Sequence, residues 1–428
     1  MAVAAVHQQF STTARKIIES QSVVTFFQPI LSARQRTLVG AEALSRGVVG
    51  VEALSRALFG IGLSDDELIS PAKLFGMAAQ EGVTLELERL CRATAIRTFS
   101  QLQRSEDLIL FLNFDARALQ QDGNALENLL RQMDAANLKP RNVAVEILEN
   151  AFEDAGRLRG LLDALRHYGF LLVLDDVGVG HSNLDRVPLI KPDVLKLDRC
   201  LVSGIENDYH RQETFKSLVH LARRIGALVV AEGVETEREA IIALELGADL
   251  LQGFFLGRPE MPGTLTCSDA ASRIDALARK YKSHMIDRIN DRKLQHRRFN
   301  IILNEILCEL TKCPVEQFDQ VLDATIKQYQ NVECVYVLDE SGTQVSSTVC
   351  NPAIPSRGNG VIFRPAPRGA DHSLKEYYYV LLDVELHKYT TDPYVSLASG
   401  NLCRTISTCF RDSLNTKMYI LCIDVLCE

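Results

Sequence analysis

The chain has 428 residues, 46% of them hydrophobic, enough to bury a substantial core and long enough for two or three domains. A net charge of −8 and a pI near 5.7 argue against binding a nucleic-acid polymer through bulk electrostatics. No apolar run approaches the ~18–20 residues that cross a bilayer, so no transmembrane segment is expected. The start MAVAAVHQQFSTTARK lacks the basic-then-apolar order of a signal peptide, and the expected location is cytoplasmic.

From residue 23 onward apolar strands alternate with helical stretches. VTFFQPIL and TLVGAEAL come first, separated by polar residues too few for a crossover helix, and are predicted to pair as an antiparallel hairpin. LILFLNF, NVAVEIL, LLVLDDV, VLKL, LVVAEGV and LLQGFFL follow. The segments between them carry apolar residues at helical spacing, as at Leu158, Leu161, Leu162 and Leu165, with Gly169, Gly226 and Gly247 where helices should stop. Eight strands over roughly 240 residues predict an α/β fold, a (β/α)8 TIM-like barrel with an antiparallel first strand.

After Pro259 the pattern changes. Ile274, Leu277, Tyr281, Met285 and Ile289, three or four apart, predict a long amphipathic helix ending before Pro314 and packing on a neighbour or a second subunit. Residues from about 315 read as helix followed by strands, a smaller α+β domain. Eight of the eleven cysteines lie in this last third, with no CxxC pair, and are expected to be reduced and mostly buried.

The chemistry concentrates at strand ends. LVGAEALSR, NVAVEILEN, LLVLDDVGVG, VLKLD and VVAEGVE carry carboxylates or a lysine at their carboxyl ends, and ILFLNFD an amide. Acids beside apolar runs are costly unless compensated, and a divalent cation compensates them well. A barrel collects these ends at one face. Asp175 and Asp176 are neighbours, so both reach one site only where strand regularity ends; Gly178 and Gly180 permit that break. Lys196 and Asp198, two apart, are expected to face the interior.

FQPI, EALSR, Asn113 in FLNFD, EILE, DDVGVGHSNL, KPDVLKLDR, AEGVET and LLQGFFLGRP stand in the order and approximate spacing of the EAL family of cyclic di-GMP (c-di-GMP) phosphodiesterases, which residues 20–262 resemble. The resemblance implies hydrolysis of c-di-GMP to the linear dinucleotide pGpG with two Mg²⁺ or Mn²⁺ ions. It implies that Glu42, Asn113, Glu146 and Asp175 hold one metal, and that Asp175 bridges to a second also bound by Asp176. Lys196 then matches the lysine that orients the attacking water, and Glu232 the general base or second-metal water ligand. Glu149 matches the acid anchoring the aspartate loop, and Gln28, Arg46, Glu235 and Gln252 stand at substrate-side positions. The alternative is a catalytically weak c-di-GMP receptor; an unrelated metal-dependent hydrolase is a third reading.

Three features depart from the pattern. EALSR occurs twice, at Glu42 and Glu52. Glu42, fourteen residues after Gln28 in the strand pairing with FQPI, has the family's register, whereas Glu52 stands nearer the usual distance before ISPAKLF. Val177 replaces the usual Phe and Leu148 a small hydroxyl residue, both touching the aspartate loop.

Residues 314–428 resemble PAS-like or Cache-type sensory domains, with Tyr389, Tyr394, Ser396 and Arg404 as candidate lining of a small-ligand pocket. The expected organisation is a phosphodiesterase domain over 1–265, a helical linker over 266–313 and this regulatory domain, in a homodimer.

Overall fold

The protein's structure, a computed structural model, describes residues 13–48, 68–102, 105–114, 124–147, 155–179, 183–262, 267–357, 360–383, 386–413 and 415–427. Two compact units divide the chain, residues 1–286 and 287–428.

In the first unit β1 (Val23–Ser32) pairs antiparallel with β2 (Thr37–Val48) in the predicted hairpin. A two-residue β3 (Leu68–Ile69) extends the far end of β2. Then β4 (Ile109–Phe114), β5 (Val143–Ile147), β6 (Leu171–Val177), β7 (Val194–Leu197), β8 (Leu228–Ala231) and β9 (Leu250–Gln252) run parallel to β2, each beside the last. β9 pairs antiparallel with β1 and closes an eight-stranded barrel in which only β1 runs against its neighbours. Helices between the strands bury their apolar stripes on its outside, and those ending at Tyr168, Ile225 and Leu246 stop at the three expected glycines.

Strand register determines what fills the barrel. Glu42 pairs with Phe111, Glu146 with Val173, Lys196 with Val230 and Gln252 with Ile30, whereas within each intervening pair (Gln28–Glu42, Asn113–Glu146) like levels face each other. The interior rows therefore step by two residues at every second strand, and four such steps give the eight-residue stagger of this barrel type. One interior layer is apolar: Ile30, Phe111, Ala144, Val173, Val194, Val230 and Leu250. Gly40 supplies the eighth strand's place; a Cβ there would lie 3.0 Å from the Phe111 ring and 2.3 Å from the Ile109 carbonyl oxygen. Two residues further toward the mouth, the same face of the same strands carries Gln28, Glu42, Asn113, Glu146, Asp175, Lys196, Glu232 and Gln252.

The helix Cys267–Leu310 is continuous over 44 residues and ends before Pro314 as predicted. Ile274 and Leu277 are buried in the first unit's core; Tyr281 and Met285 are half-buried and Ile289 is exposed. Among the described residues no helix is long and apolar enough to cross a membrane.

The second unit is an antiparallel sheet in the order β11 (Val349–Cys350), β10 (Val332–Asp339), β15 (Met418–Leu426), β14 (Leu402–Arg411), β12 (Lys388–Thr390), with β13 (Tyr394–Val395) also on β14. Its two faces differ. Tyr419, Leu421, Ile423 and Val425 pack with Phe318, Leu322 and Ile326 of a helix and with Leu303, Ile306 and Leu310. Ile420 and Cys422 face the other way, onto Tyr336, Tyr377 and Leu381. This is the expected α+β domain.

Candidate active site

Lys196 is the centre of the polar side chains at the barrel mouth and pairs with four of their acids. Its side chain is 1% exposed, and its Nζ lies 2.6 Å from Glu146 Oε1, 2.5 Å from Glu232 Oε1, 3.3 Å from Glu42 Oε2 and 3.4 Å from Asp175 Oδ1. An ammonium has three N–H donors, so four carboxylates cannot all be served. Asn113 Nδ2 donates to Glu42 Oε1 at 3.1 Å, and Gln252 Nε2 donates to Glu42 Oε2 at 2.6 Å and to Gln28 Oε1 at 3.2 Å. Gln28 in turn donates to the Gly257 carbonyl, tying β1 to the chain after β9.

The adjacent aspartates reach the site through a bulge. The β6–β7 register shifts between Leu174 and Val177, and Asp176 takes the left-handed φ of 53°. The break falls on Asp176 itself, two residues before the first of the glycines expected to permit it. Gly178 follows at φ 113°, and Gly180 lies outside the described residues. The result brings carboxylate oxygens of Asp175, Asp176 and Glu232 within 4.8 Å of one another. Val177 is buried in the core and pairs with Leu197, fixing the strand just past the bulge.

The electrostatics follow from burial and crowding. Burial drives the Glu146 carboxyl well above the usual carboxylate range and raises Asp175, although Lys196 opposes both shifts. Glu232 is pushed up to about 8 by burial, against Lys196 and with Asp175 and Glu42 adding. Asp176 rises to about 6 through burial and its neighbours Asp175 and Asp198. For Glu42 burial is outweighed by Lys196 and by the hydrogen bonds from Gln252, Lys196 and Asn113, and its pKa is lowered. Burial would lower Lys196, but Glu146, Glu42, Glu232 and Asp175 raise it well above its ordinary value.

These residues fit a pair of divalent cations. Fully ionised, five acids around one lysine leave four negative charges uncompensated, the charge two such ions carry. Glu146 Oε2 is buried and, among the described residues, receives neither hydrogen bond nor ion pair. An all-oxygen donor set suits Mg²⁺ or Mn²⁺.

Not every expected residue joins this cluster. Glu235 stands at the rim, its Oε2 3.1 Å from Arg199 Nη2. Arg46, half-buried on the Glu42 face of β2, has its guanidinium 5.0 Å over the Phe26 ring. Asp198 lies past the end of β7 and caps a short helix by accepting from Cys200 N at 2.7 Å, close enough to Asp176 for its charge to raise that carboxyl. Glu149, Glu52 and Leu148 lie outside the described residues.

One site-shaping residue went unread in the sequence. Buried Glu239 accepts from the backbone N–H groups of Gly204, Glu235 and Thr236 at 2.8–3.0 Å, tying together the segments after β7 and β8. Its signal was the T-x-x-E capping box of Thr236 and Glu239.

The EAL domain family model matches residues 11–259 of this chain. YkuI of Bacillus subtilis (strain 168), an uncharacterized EAL-domain-containing protein, is 26% identical over 399 residues, 90% of this chain and 91% of YkuI. The crystal structure of YkuI in complex with substrate c-di-GMP and calcium shares the fold, with a TM-score of 0.78 at 23% identity over 97% of this chain and 100% of that one. Klebsiella pneumoniae BlrP1, in a manganese and c-di-GMP complex, matches with a TM-score of 0.50 at 28% identity over 57% of each chain. PdeB of Escherichia coli K12, a probable cyclic di-GMP phosphodiesterase, is 25% identical over 243 residues, 56% of this chain and 43% of PdeB.

Proposed function

This chain belongs to the EAL domain family, and on that premise we propose that it hydrolyses c-di-GMP to pGpG in bacterial second-messenger signalling. The observation that carries the proposal is the cluster of five acids about one buried lysine, with a buried Glu146 oxygen that has no partner among the described residues.

Glu42, Asn113, Glu146 and Asp175 would hold one Mg²⁺ or Mn²⁺, and Asp175 and Asp176 the second. Two such ions supply a water acidic enough to attack at neutral pH and neutralise the phosphoryl oxygens. Lys196 then orients that water and offsets the charge developing on the phosphoryl group. Glu232, beside both aspartates, would take the proton as the water oxygen bonds to phosphorus and one ring P–O bond breaks, the released ribose oxygen staying on the linear product and taking up a proton from water. Gln28 and Gln252 present amides toward the substrate. Arg46 offers a guanidinium suited to two parallel hydrogen bonds to a phosphate, and Glu235 a rim carboxylate. Glu149 positions the aspartate segment.

The proposed organisation is a phosphodiesterase domain over 1–265, a helical connector over 266–313 and a PAS-like regulatory domain over 314–428, working as a cytoplasmic homodimer. Nearly full-length alignment with YkuI supports reading both units as one protein type.

The test incubates full-length protein with c-di-GMP and Mg²⁺, Mn²⁺ or EDTA and follows pGpG by chromatography. Metal-dependent pGpG that disappears in Glu232→Ala is the expected result. Tight binding without product would make the protein a receptor; neither product nor binding would overturn the reading.

A further inference from the structure

The second unit carries a buried acid that the first unit's chemistry does not use. Alternation along β15 sends Ile420, Cys422 and Asp424 to the face away from the packed helix, and Asp424 is 4% exposed there. Above it lies a cavity of about 550 Å³ with Asp424 among its lining residues. Tyr394 and Ser396 line it as expected from the sequence. Tyr389 and Arg404 do not: the Tyr389 hydroxyl turns to Glu376, and Arg404 lies on the side of β14 opposite Thr405.

Asp424 Oδ1 accepts from Thr405 Oγ1 at 2.7 Å and from the Tyr394 hydroxyl at 3.3 Å. Among the described residues nothing donates to Oδ2, and no lysine or arginine pairs with the carboxylate. Around the cavity Arg364 and Lys375 are balanced by Glu376 and Asp392, all four exposed. His372 does not supply the missing charge. Its Nδ1 meets the Tyr377 hydroxyl at 2.6 Å and its Nε2 meets Gln344 Oε1 at 2.9 Å, and burial lowers its pKa. A second buried acid, Glu333, adds to the negative field at the floor.

The walls match that charge. Tyr336, His372 and Tyr377 pack against one another with ring centroids 5.3–6.2 Å apart. Aromatic faces attract cations, most strongly where water is excluded. A bare metal ion fits poorly, because hard cations want several oxygen ligands. Among the described residues the one cluster of three ligand-bearing acids lies in the barrel.

We propose that this cavity binds a small organic ammonium compound, its charged nitrogen donating to Asp424 Oδ2 and its body lying among the tyrosine rings. The proposal stands independently of the phosphodiesterase reading. A charge-assisted hydrogen bond of about 1.5–3 kcal/mol corresponds to roughly ten- to a hundredfold in affinity.

The test titrates full-length protein calorimetrically with tyramine and ethanolamine and with their uncharged counterparts, 4-ethylphenol and ethylene glycol. At least one amine should bind saturably, its counterpart should not, and Asp424→Asn should weaken the amine at least tenfold. Should that variant fold poorly, Val395→Lys places a competing ammonium at the exposed mouth and should weaken binding severalfold. Silence of both amines at millimolar concentration, equal binding of a counterpart, or unchanged affinity in the folded variants would overturn the proposal.

Discussion

The barrel mouth and the cavity face of the C-terminal sheet both bury carboxylates on strands, and they dispose of the charge differently. At the mouth, staggered strands bring four acids to one lysine with a fifth, Asp176, beside them, and the deficit of positive charge is too large for hydrogen bonds to absorb. On the sheet, Asp424 has, among the described residues, two hydroxyl donors and no cation, and burial pushes its carboxyl up to about 7, where holding a proton is an alternative to holding a partner. Crowded acids call for metal ions; a single acid under an aromatic cavity calls for one cationic group or one proton.

The largest effect is expected for Lys196→Met. Removing one partner from a buried ion cluster costs about 3–5 kcal/mol because the remaining charges stay buried. The variant in EDTA should melt well below the parent. Mn²⁺ should raise both melting temperatures and the variant's by more, since bound cations replace the lost ammonium. A variant as stable as the parent in EDTA would mean the acids are compensated some other way.

Asp424→Asn tests the other region. An aspartate at about 7 when folded, against an ordinary 3.8, keeps a proton that the unfolded chain has lost between those values. Folding then binds protons, so stability falls as pH rises from about 4 to about 7, by at most about 1.4 kcal/mol per pH unit. The asparagine variant lacks that fall. Thermal melts should find it more stable than the parent at pH 8 and equal to it near pH 4. Parallel profiles would place Asp424 in contact with a compensating charge.

Most of the barrel was legible because its signals are periodic or strictly spaced. Eight apolar segments, a hairpin too tight for a crossover and glycine helix stops all register in sequence. The converging acids sit at strand ends, so Glu42, Glu146, Asp175 and Lys196 could be named before their distances were known. What sequence could not give was the stagger of the strands, which sets Glu146 opposite Val173 and so places Asp175 two residues further toward the mouth. Nor could it give the left-handed turn at Asp176, since an aspartate bulge and a regular strand have the same letters. Nor could it give the cap that Asp198 makes just past the end of β7, since a residue at a strand terminus is free to cap the next helix. In the second unit Asp424 was hidden inside YILCIDV, an apolar strand whose faces are told apart only by what packs on each.

The smallest effect expected is Thr236→Ala, and it separates charge from rigidity at the barrel mouth. Thr236 Oγ1 accepts from Glu239 N at 3.2 Å, half of the capping box that starts the helix after β8. Losing an N-cap hydroxyl costs about 1 kcal/mol, which lowers the melting temperature of a domain this size by about 2–4 °C. The Glu239 carboxylate would still accept from Gly204, Glu235 and Thr236 N–H groups, so the segment carrying Glu232 should keep its place. Under the proposed function, turnover of c-di-GMP should therefore fall only slightly, where Glu232→Ala should abolish it. If Thr236→Ala also abolished turnover at an unchanged melting temperature, precise seating of the Glu232 segment would limit the site more than its charge balance does. The contrast between the two regions would then be one of rigidity, with charge secondary.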